Sequence, residues 1–320
     1  MSFPDRSRAI RRSRPLDGIL LLDKPCGPSS NQALQTARRL FGAAKAGHTG
    51  SLDPLATGLL PVCFGEATKI AGLLLGSRKA YATTARLGVV TDSADATGAI
   101  TAEYPVPALD EATIERALAD LRGRIRQIPP IYSAIKRDGE PLYRLARRGE
   151  TVDVPEREVE VSRLDLIGRE GDCLHLHVEC GSGTYVRSLV RDLGAALGCG
   201  AHVTRLRRLW VEPFFDPVMV GFEQIEALAA QGPDQLDRVL LPISAGLAGY
   251  PGVDLDEADG LRLRQGQAIP CTAPAGRCVA RGPDGQILAL AEVGADGLLR
   301  SVRGFNLSRE HASDPAKTLL

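Results

Sequence analysis

The chain reads as a mixed α/β (α+β) protein with two folded parts, a large domain over residues 16–248 and a small β-rich domain over 249–308. Two observations carry that reading. Up to residue 248, strand-length apolar runs are interleaved with stretches whose apolar residues recur every three to four positions, the mark of amphipathic helices. Beyond Pro251 the helical period fades, and short segments are separated by turn sequences such as Arg281-Gly-Pro-Asp-Gly and Val293-Gly-Ala-Asp-Gly.

Taken in order, residues 1–15 contain five arginines and little apolar content, which predicts a disordered basic arm. Gly18–Leu22 predicts a strand ended by Asp23-Lys24-Pro25. Ser29 or Ser30 then caps a helix with apolar face Ala33, Leu34, Ala37, Leu40 and Phe41, which Gly42 stops. Glu66–Leu75 predicts a helix and Lys79–Leu87 a strand bearing Tyr81. After the extended link Tyr104-Pro-Val-Pro, Asp110 caps a helix with Ile114, Leu118 and Leu121 on one face and Gly123 at its end. Residues 128–150 fit neither period; their basic charge, adjacent prolines and tyrosines at 132 and 143 predict a long excursion from the core. Val159–Gly168 and Cys173–Cys180 alternate like a hairpin around Glu170-Gly171-Asp172. His175 and His177 share a face of its second strand, and with no third ligand nearby they read as structural. Thr184–Leu197 predicts a helix buried through Val186, Leu189, Val190, Leu193 and Leu197. A strand over 203–211 follows, with Arg205, Arg207 and Arg208 available to phosphate. Strands near 278–281, 286–293 and 298–303 build the small domain, and 309–320 is a polar tail.

A chain of 320 residues, 44% hydrophobic and 24% charged, is long enough to bury a large core. It has no run of 18 apolar residues, and the basic N-terminus lacks an apolar core of the secretory type, so a cytoplasmic protein without membrane contact is expected. Seven cysteines without any CxxC spacing argue against a zinc site or a disulfide framework. The net charge is zero, yet the charges are segregated: residues 122–148 hold eight Lys/Arg against Asp138 and Glu140, and Glu223 to Gly260 holds eight Asp/Glu against Arg238. Such blocks can put a basic face on a neutral protein, which a polyphosphate ligand requires, although separately solvated helix faces would give the same count.

Chemistry concentrates in Gly47–Gly65, GHTGSLDPLATGLLPVCFG. Pro54 biases Asp53 away from helical backbone angles, and the surrounding glycines allow a tight loop, so Asp53 is expected to project from a rigid turn. Asp-Pro alone is a common turn starter. His48 and Thr49 upstream, and the apolar run Leu59, Leu60, Val62 that anchors the loop, are more than a turn needs.

GHTGSLDPLATGLLP resembles the catalytic motif of the TruB-type bacterial tRNA pseudouridine-55 synthases. The similarity extends through LLLDKPCGPSSNQAL, KAYATTARLGVVTDSADATG, IPPIYSAIKRDGEPLYRLARRGE, CGSGTYVRSLVRDLG and GAHVTRLRRL, covering roughly residues 16 to 250. It implies a pseudouridine synthase core with a largely antiparallel central sheet, whose cleft holds Asp53, and a PUA-like RNA-binding domain over 249–308. It implies Asp53 as nucleophile, Arg187 of Gly-Thr-Tyr-Val-Arg as its ionic partner, and Tyr81 stacked on a flipped-out uracil. His48, Lys24, Tyr185 and Leu206 are implied to contact or enclose the RNA, and Arg144, Arg147 and Arg148 of the basic excursion are candidate phosphate contacts. The implied substrate is the T stem-loop of tRNA, worked on by a monomer with no cofactor, no metal and no obligatory protein partner. Two other readings stand beside it: a guide-dependent synthase acting within a ribonucleoprotein, which the absence of a Lys-rich tail disfavours, and a catalytically silent RNA-binding or RNA-folding module.

Overall fold

A computed structural model describes residues 13–133, 136–137, 140–141, 148 and 154–307. Its centre is β1 (Gly18–Lys24) paired antiparallel with β3 (Thr57–Phe64). Both strands are apolar almost without interruption because both faces of the sheet are covered. Leu20, Leu22, Leu60, Val62 and Phe64 face one core, while Ile19, Leu21, Leu59 and Cys63 face a second. The apolar run expected only to anchor the catalytic loop is therefore a central strand. The loop itself is confined to residues between β2 (Ala46–His48), which pairs with β3, and β3 itself.

The other sheet strands are β4 (Lys79–Leu87), β7 (Gly123–Gln127), β10 (Arg157–Glu170), β11 (Cys173–Cys180), β12 (Ala201–Val211) and β13 (Leu240–Leu241), the short hairpin β5 (Val89–Thr91) and β6 (Ile100–Glu103) standing apart. Among the described residues the large sheet has nine strands in the order β13-β1-β3-β12-β4-β11-β10-β7, with β2 on β3. Every pairing is antiparallel except β3 with β12, so the sheet is largely antiparallel as expected. At that parallel junction Gly58 has φ +94°, and a Cβ there would lie 2.2 Å from the Arg208 carbonyl oxygen. Only glycine lets the two strands meet so closely.

Helices fill the first core: α1 (Ser30–Phe41), α3 (Glu111–Ala119), α4 (Val186–Ala196), α5 (Phe222–Gln231) and α6 (Pro233–Asp237). Ser29 makes a capping box with Gln32, and Gly42 closes α1 with a left-handed φ of 60°, as the sequence reading requires. Residues 66–75 differ from the expected single helix: a 3₁₀ turn over Gly65–Ile70 precedes the short α2 (Ala71–Leu75). A long-range contact accompanies the difference: the Asp17 carboxylate accepts the Glu66 N–H and pins the first turn against the strand entry. Arg14, expected within the disordered basic arm, is docked on the folded domain. Arg14 docks on α6 through a bidentate pair with Asp237 at 2.5 and 2.6 Å and donates to the Phe41 carbonyl, while residues 1–12 lie outside the described set. Of the excursion, β8 (Lys136–Arg137) and β9 (Glu140–Pro141) form a two-residue ladder.

The C-terminal part is a five-stranded sheet, β14 (Gly252–Asp254), β16 (Gly276–Arg281), β17 (Ile287–Val293), β18 (Leu298–Gly304) and β15 (Ile269–Pro270), with α7 (Glu257–Arg264) against it. Cys278, Ala280, Ala289 and Ala291 face its own small core. Their alternates Val279, Ile287 and Leu290, with Phe305, join the second core of the large domain beside Ile70 and Leu74. Two further links close the junction: the Asn306 N–H donates to Glu66 at 2.6 Å, and Lys69 donates to the Gly304 carbonyl at 2.8 Å.

Candidate active site

Asp53 sits at the tip of the turn between β2 and β3, and neighbouring groups hold that turn by its backbone. The Ser30 hydroxyl, at the start of α1, accepts from the Leu52 N–H at 2.7 Å. Gly27 N–H donates to the Pro54 carbonyl at 2.8 Å, and the Lys24 ammonium donates at 2.8 Å to each of the Pro25 and Ala56 carbonyls. Lys24 was expected to face RNA. It is instead fully buried, its charge spent on the loop's carbonyls, because the strand end that carries it lies under the loop rather than at its rim.

The side chain of Asp53 remains 34% exposed while that of Arg187 is 3% exposed, so the carboxylate is open to solvent on one side and rests on a buried guanidinium on the other. Arg187, in the first turn of α4, presents Nε 2.8 Å from Oδ2 of Asp53 and donates from Nη2 to Oδ1 at 3.0 Å. Its remaining donors go to the Ser93 carbonyl at 3.0 Å and the Tyr132 carbonyl at 2.9 Å. A second carboxylate, buried Asp95, lies 3.7 Å from Nη1. Asp95 is itself held by Ser93 and by the Thr97 N–H and hydroxyl, all donating to Oδ1. Sequence reasoning passed over Asp95; its signal was the Asp-Ser-Ala-Asp-Ala-Thr-Gly stretch, whose short polar residues can close a turn on one carboxylate.

Burial pushes the Asp53 carboxyl above the usual carboxylate range, the Arg187 charge pulls it back, and Asp95 adds to the upward push. The two close guanidinium contacts and the open solvent face both favour the ionised form of the carboxylate.

Tyr81 projects from β4 into the same region. Burial pushes its phenol up to about 12, with the charge of Arg208 acting in the opposite direction, so it is neutral at physiological pH. His48, the last residue of β2, accepts the Gly50 N–H at Nδ1 (3.4 Å). Burial, then the Arg208 charge, holds that imidazole below its usual pKa, so it is a neutral group at the loop's edge. Leu206 is buried on β12 in the cluster that contains Tyr81.

Tyr185 precedes α4; its backbone N–H donates to Gln127 at 2.8 Å and its ring lies under the Arg157 guanidinium at 5.4 Å. Of the basic trio, Arg144 and Arg147 lie outside the described residues, and Arg148 is exposed and paired with Glu140 at 2.6 and 3.0 Å. The arginines expected to offer themselves to phosphate on β12 divide. Arg205 is exposed, but Arg207 forms a bidentate pair with Asp23 (2.9 Å each) and Arg208 is wholly buried. His175 bonds Thr84 and His177 bonds Glu179, and no cluster of metal-ligating side chains occurs among the described residues. No helix of the described residues is long and apolar enough to cross a membrane.

Residues 38–186 match the sequence profile of the "TruB family pseudouridylate synthase (N terminal domain)" and residues 187–248 that of the "tRNA pseudouridylate synthase B C-terminal domain". The chain is 57% identical over 294 residues to tRNA pseudouridine synthase B of Xanthomonas euvesicatoria, covering 92% of this chain and 95% of the relative. It is 55% identical over 295 residues to the protein of the same name from Xylella fastidiosa, covering 92% and 97%. Among solved structures, the fold is similar to a chain of a "Cbf5-Nop10-Gar1 Complex", with TM-score 0.71 and 22% identity over 93% of this chain and 87% of the other.

Proposed function

This chain belongs to the TruB family of pseudouridylate synthases, and from that membership we propose that it isomerises the T-loop uridine (position 55) of tRNA to pseudouridine, with Asp53 as the nucleophile. The observation that carries the reading is the single loop carboxylate, open to a cleft on one side and fastened to a buried Arg187 on the other. The reaction breaks the C1′–N1 bond, turns the freed uracil and joins its C5 to C1′. No electron is exchanged with a cofactor. A carboxylate can attack C1′ or stabilise the oxocarbenium-like centre, and uracil leaves as a delocalised anion.

Arg187 keeps that carboxylate charged while the arriving nucleotide displaces water. The target base must first leave its stack, at a cost of a few kcal/mol that stacking on Tyr81 and enclosure by Leu206 would offset. Tyr81 is neutral, so its hydroxyl is available to hand over a proton while the base rearranges. His48 stands where it could support the opened loop. Arg205 and the basic excursion with Arg144, Arg147 and Arg148 supply phosphate contacts, and the C-terminal sheet is a PUA-like RNA-binding domain. The enzyme acts in the cytoplasm as a monomer on the T stem-loop, without cofactor or obligatory protein partner.

Asp53→Asn should abolish product formation in a single-turnover assay while tRNA binding stays close to parental, since the amide keeps the shape and loses the nucleophile. Turnover comparable with the parent would remove Asp53 from the role. The fold is also similar to a chain from an H/ACA RNP bound to a substrate RNA (TM-score 0.70, 20% identity), which favours a second reading, a guide-dependent subunit. Purified protein with a T stem-loop and no other RNA separates the two: conversion supports the stand-alone enzyme, and conversion only with a guide supports the other.

A further inference from the structure

The site has a second buried guanidinium, that of Arg208. Arg208 lies directly opposite Tyr81 across the antiparallel β4–β12 ladder, so both side chains leave the sheet on one face. Its side chain is fully enclosed, yet no carboxylate pairs with it among the described residues. Nε donates to the Leu59 carbonyl at 2.6 Å, and Nη2 donates to the Gly50 carbonyl at 3.1 Å. The guanidinium therefore joins β3 to the first half of the Asp53 turn, and it stands beside the phenol of Tyr81, its partner across the ladder. Lys79 does not compete for the phenol, because its ammonium is spent on the Leu75 and Ser77 carbonyls at 3.0 and 2.6 Å.

We propose that Arg208 is a positioning residue for the isomerisation: by donating to the Tyr81 oxygen it directs the phenol's own proton toward the cleft, while its Gly50 contact fixes the distance between phenol and Asp53. An arginine has five N–H groups and no acceptor, so a tyrosine oxygen facing it can only accept. The Tyr81 proton must then point elsewhere, and the remaining open direction is the cleft, where the Asp53 charge reaches the phenol. Burying an unpaired guanidinium is costly, and a chain that needed only to tie two strands together could do so with a neutral donor. A charged donor also steadies the phenol oxygen should negative charge build up there during proton transfer.

The inference rests on Tyr81 handling a proton in the proposed reaction, and a double-mutant cycle keeps the two apart. Single-turnover rates and tRNA dissociation constants are measured for parent, Arg208→Gln, Tyr81→Phe and the double mutant, with Arg208→Lys as the conservative variant. Expected are a rate loss of about 10- to 100-fold for Arg208→Gln at unchanged tRNA affinity, partial recovery in Arg208→Lys, and little further loss when Arg208→Gln is added to Tyr81→Phe. Equal losses in both backgrounds, or a parental rate for Arg208→Gln, would overturn the proposal. If Tyr81→Phe alone reacts at the parental rate, the proton role of Tyr81 fails and the inference falls with it. If Arg208→Gln does not melt cooperatively, Arg208→Lys carries the same cycle. Failure of both to fold makes Arg208 a folding residue and also overturns the proposal.

Discussion

Burial raises the pKa of Asp53, Arg187 draws it back down, and Asp95 adds a further upward push. In the proposed reaction the ionised form of Asp53 is the competent one, so activity should fall as pH drops through that raised value, placing the acid limb above the ordinary carboxylate range. Arg187→Met removes the opposing influence and leaves burial and Asp95 in place. The acid limb of the single-turnover pH profile should then move upward, with reduced activity at neutral pH. An unmoved limb would show that the pair does not set the charge of Asp53. At Tyr81 the ring and the hydroxyl can be separated chemically. Phe retains the stacking surface and loses the proton, so Tyr81→Phe should bind tRNA like the parent and react at least about 100-fold more slowly. Near-parental turnover would leave Tyr81 as a stacking surface alone.

Between residue and fold, the element that positions the site is the parallel junction of β3 and β12. It brings Leu206 and Arg208 beside the Asp53 turn from a segment 149 residues farther along the chain than the β3 residues they meet. Gly58 makes the junction possible, because any Cβ would collide with the Arg208 backbone at 2.2 Å from its oxygen and 2.9 Å from its nitrogen. Gly58→Ala should therefore separate the strands, costing more than about 2 kcal/mol from strain and displaced packing. It should also reduce turnover more than tRNA affinity, which denaturant titration and single-turnover kinetics would measure. A parental midpoint and rate would mean that the junction can relax without moving the site.

At the scale of the whole molecule, the small C-terminal sheet is no free appendage. Phe305, Val279, Ile287 and Leu290 share a core with Ile19, Leu59, Ile70 and Leu74 of the catalytic sheet. Phe305→Ala empties part of that shared core and should cost about 3 to 5 kcal/mol. Calorimetry should show one cooperative transition shifted down as a unit. Two separated transitions, with the catalytic part unshifted, would mean that the domains fold independently. A truncation after residue 248 consequently removes core packing along with any RNA-binding surface, and its effect on tRNA affinity has to be read beside its melting temperature.

Much of the local structure was legible in the sequence because its causes are local. The Ser29 cap, the Gly42 stop, the hairpin around Gly171 and the strand bearing Tyr81 each follow from neighbours within a few residues. The prominence of Asp53 was legible for the same reason, since its proline and glycines are adjacent to it. Burial and long-range pairing were not. Lys24, Arg207 and Arg208 look like surface cations in a list of residues, and only the fold encloses the first and last among carbonyls and pairs the second with Asp23. The apolar run after Asp53 became a central strand because both faces of its sheet are covered, a fact that depends on segments more than 100 residues away. Residue identity and spacing determined which chemistry this chain could carry. Tertiary structure decided which charges stand in the cleft and which are consumed beneath it, because desolvation and ion pairing depend on neighbours in space that the order of residues does not state.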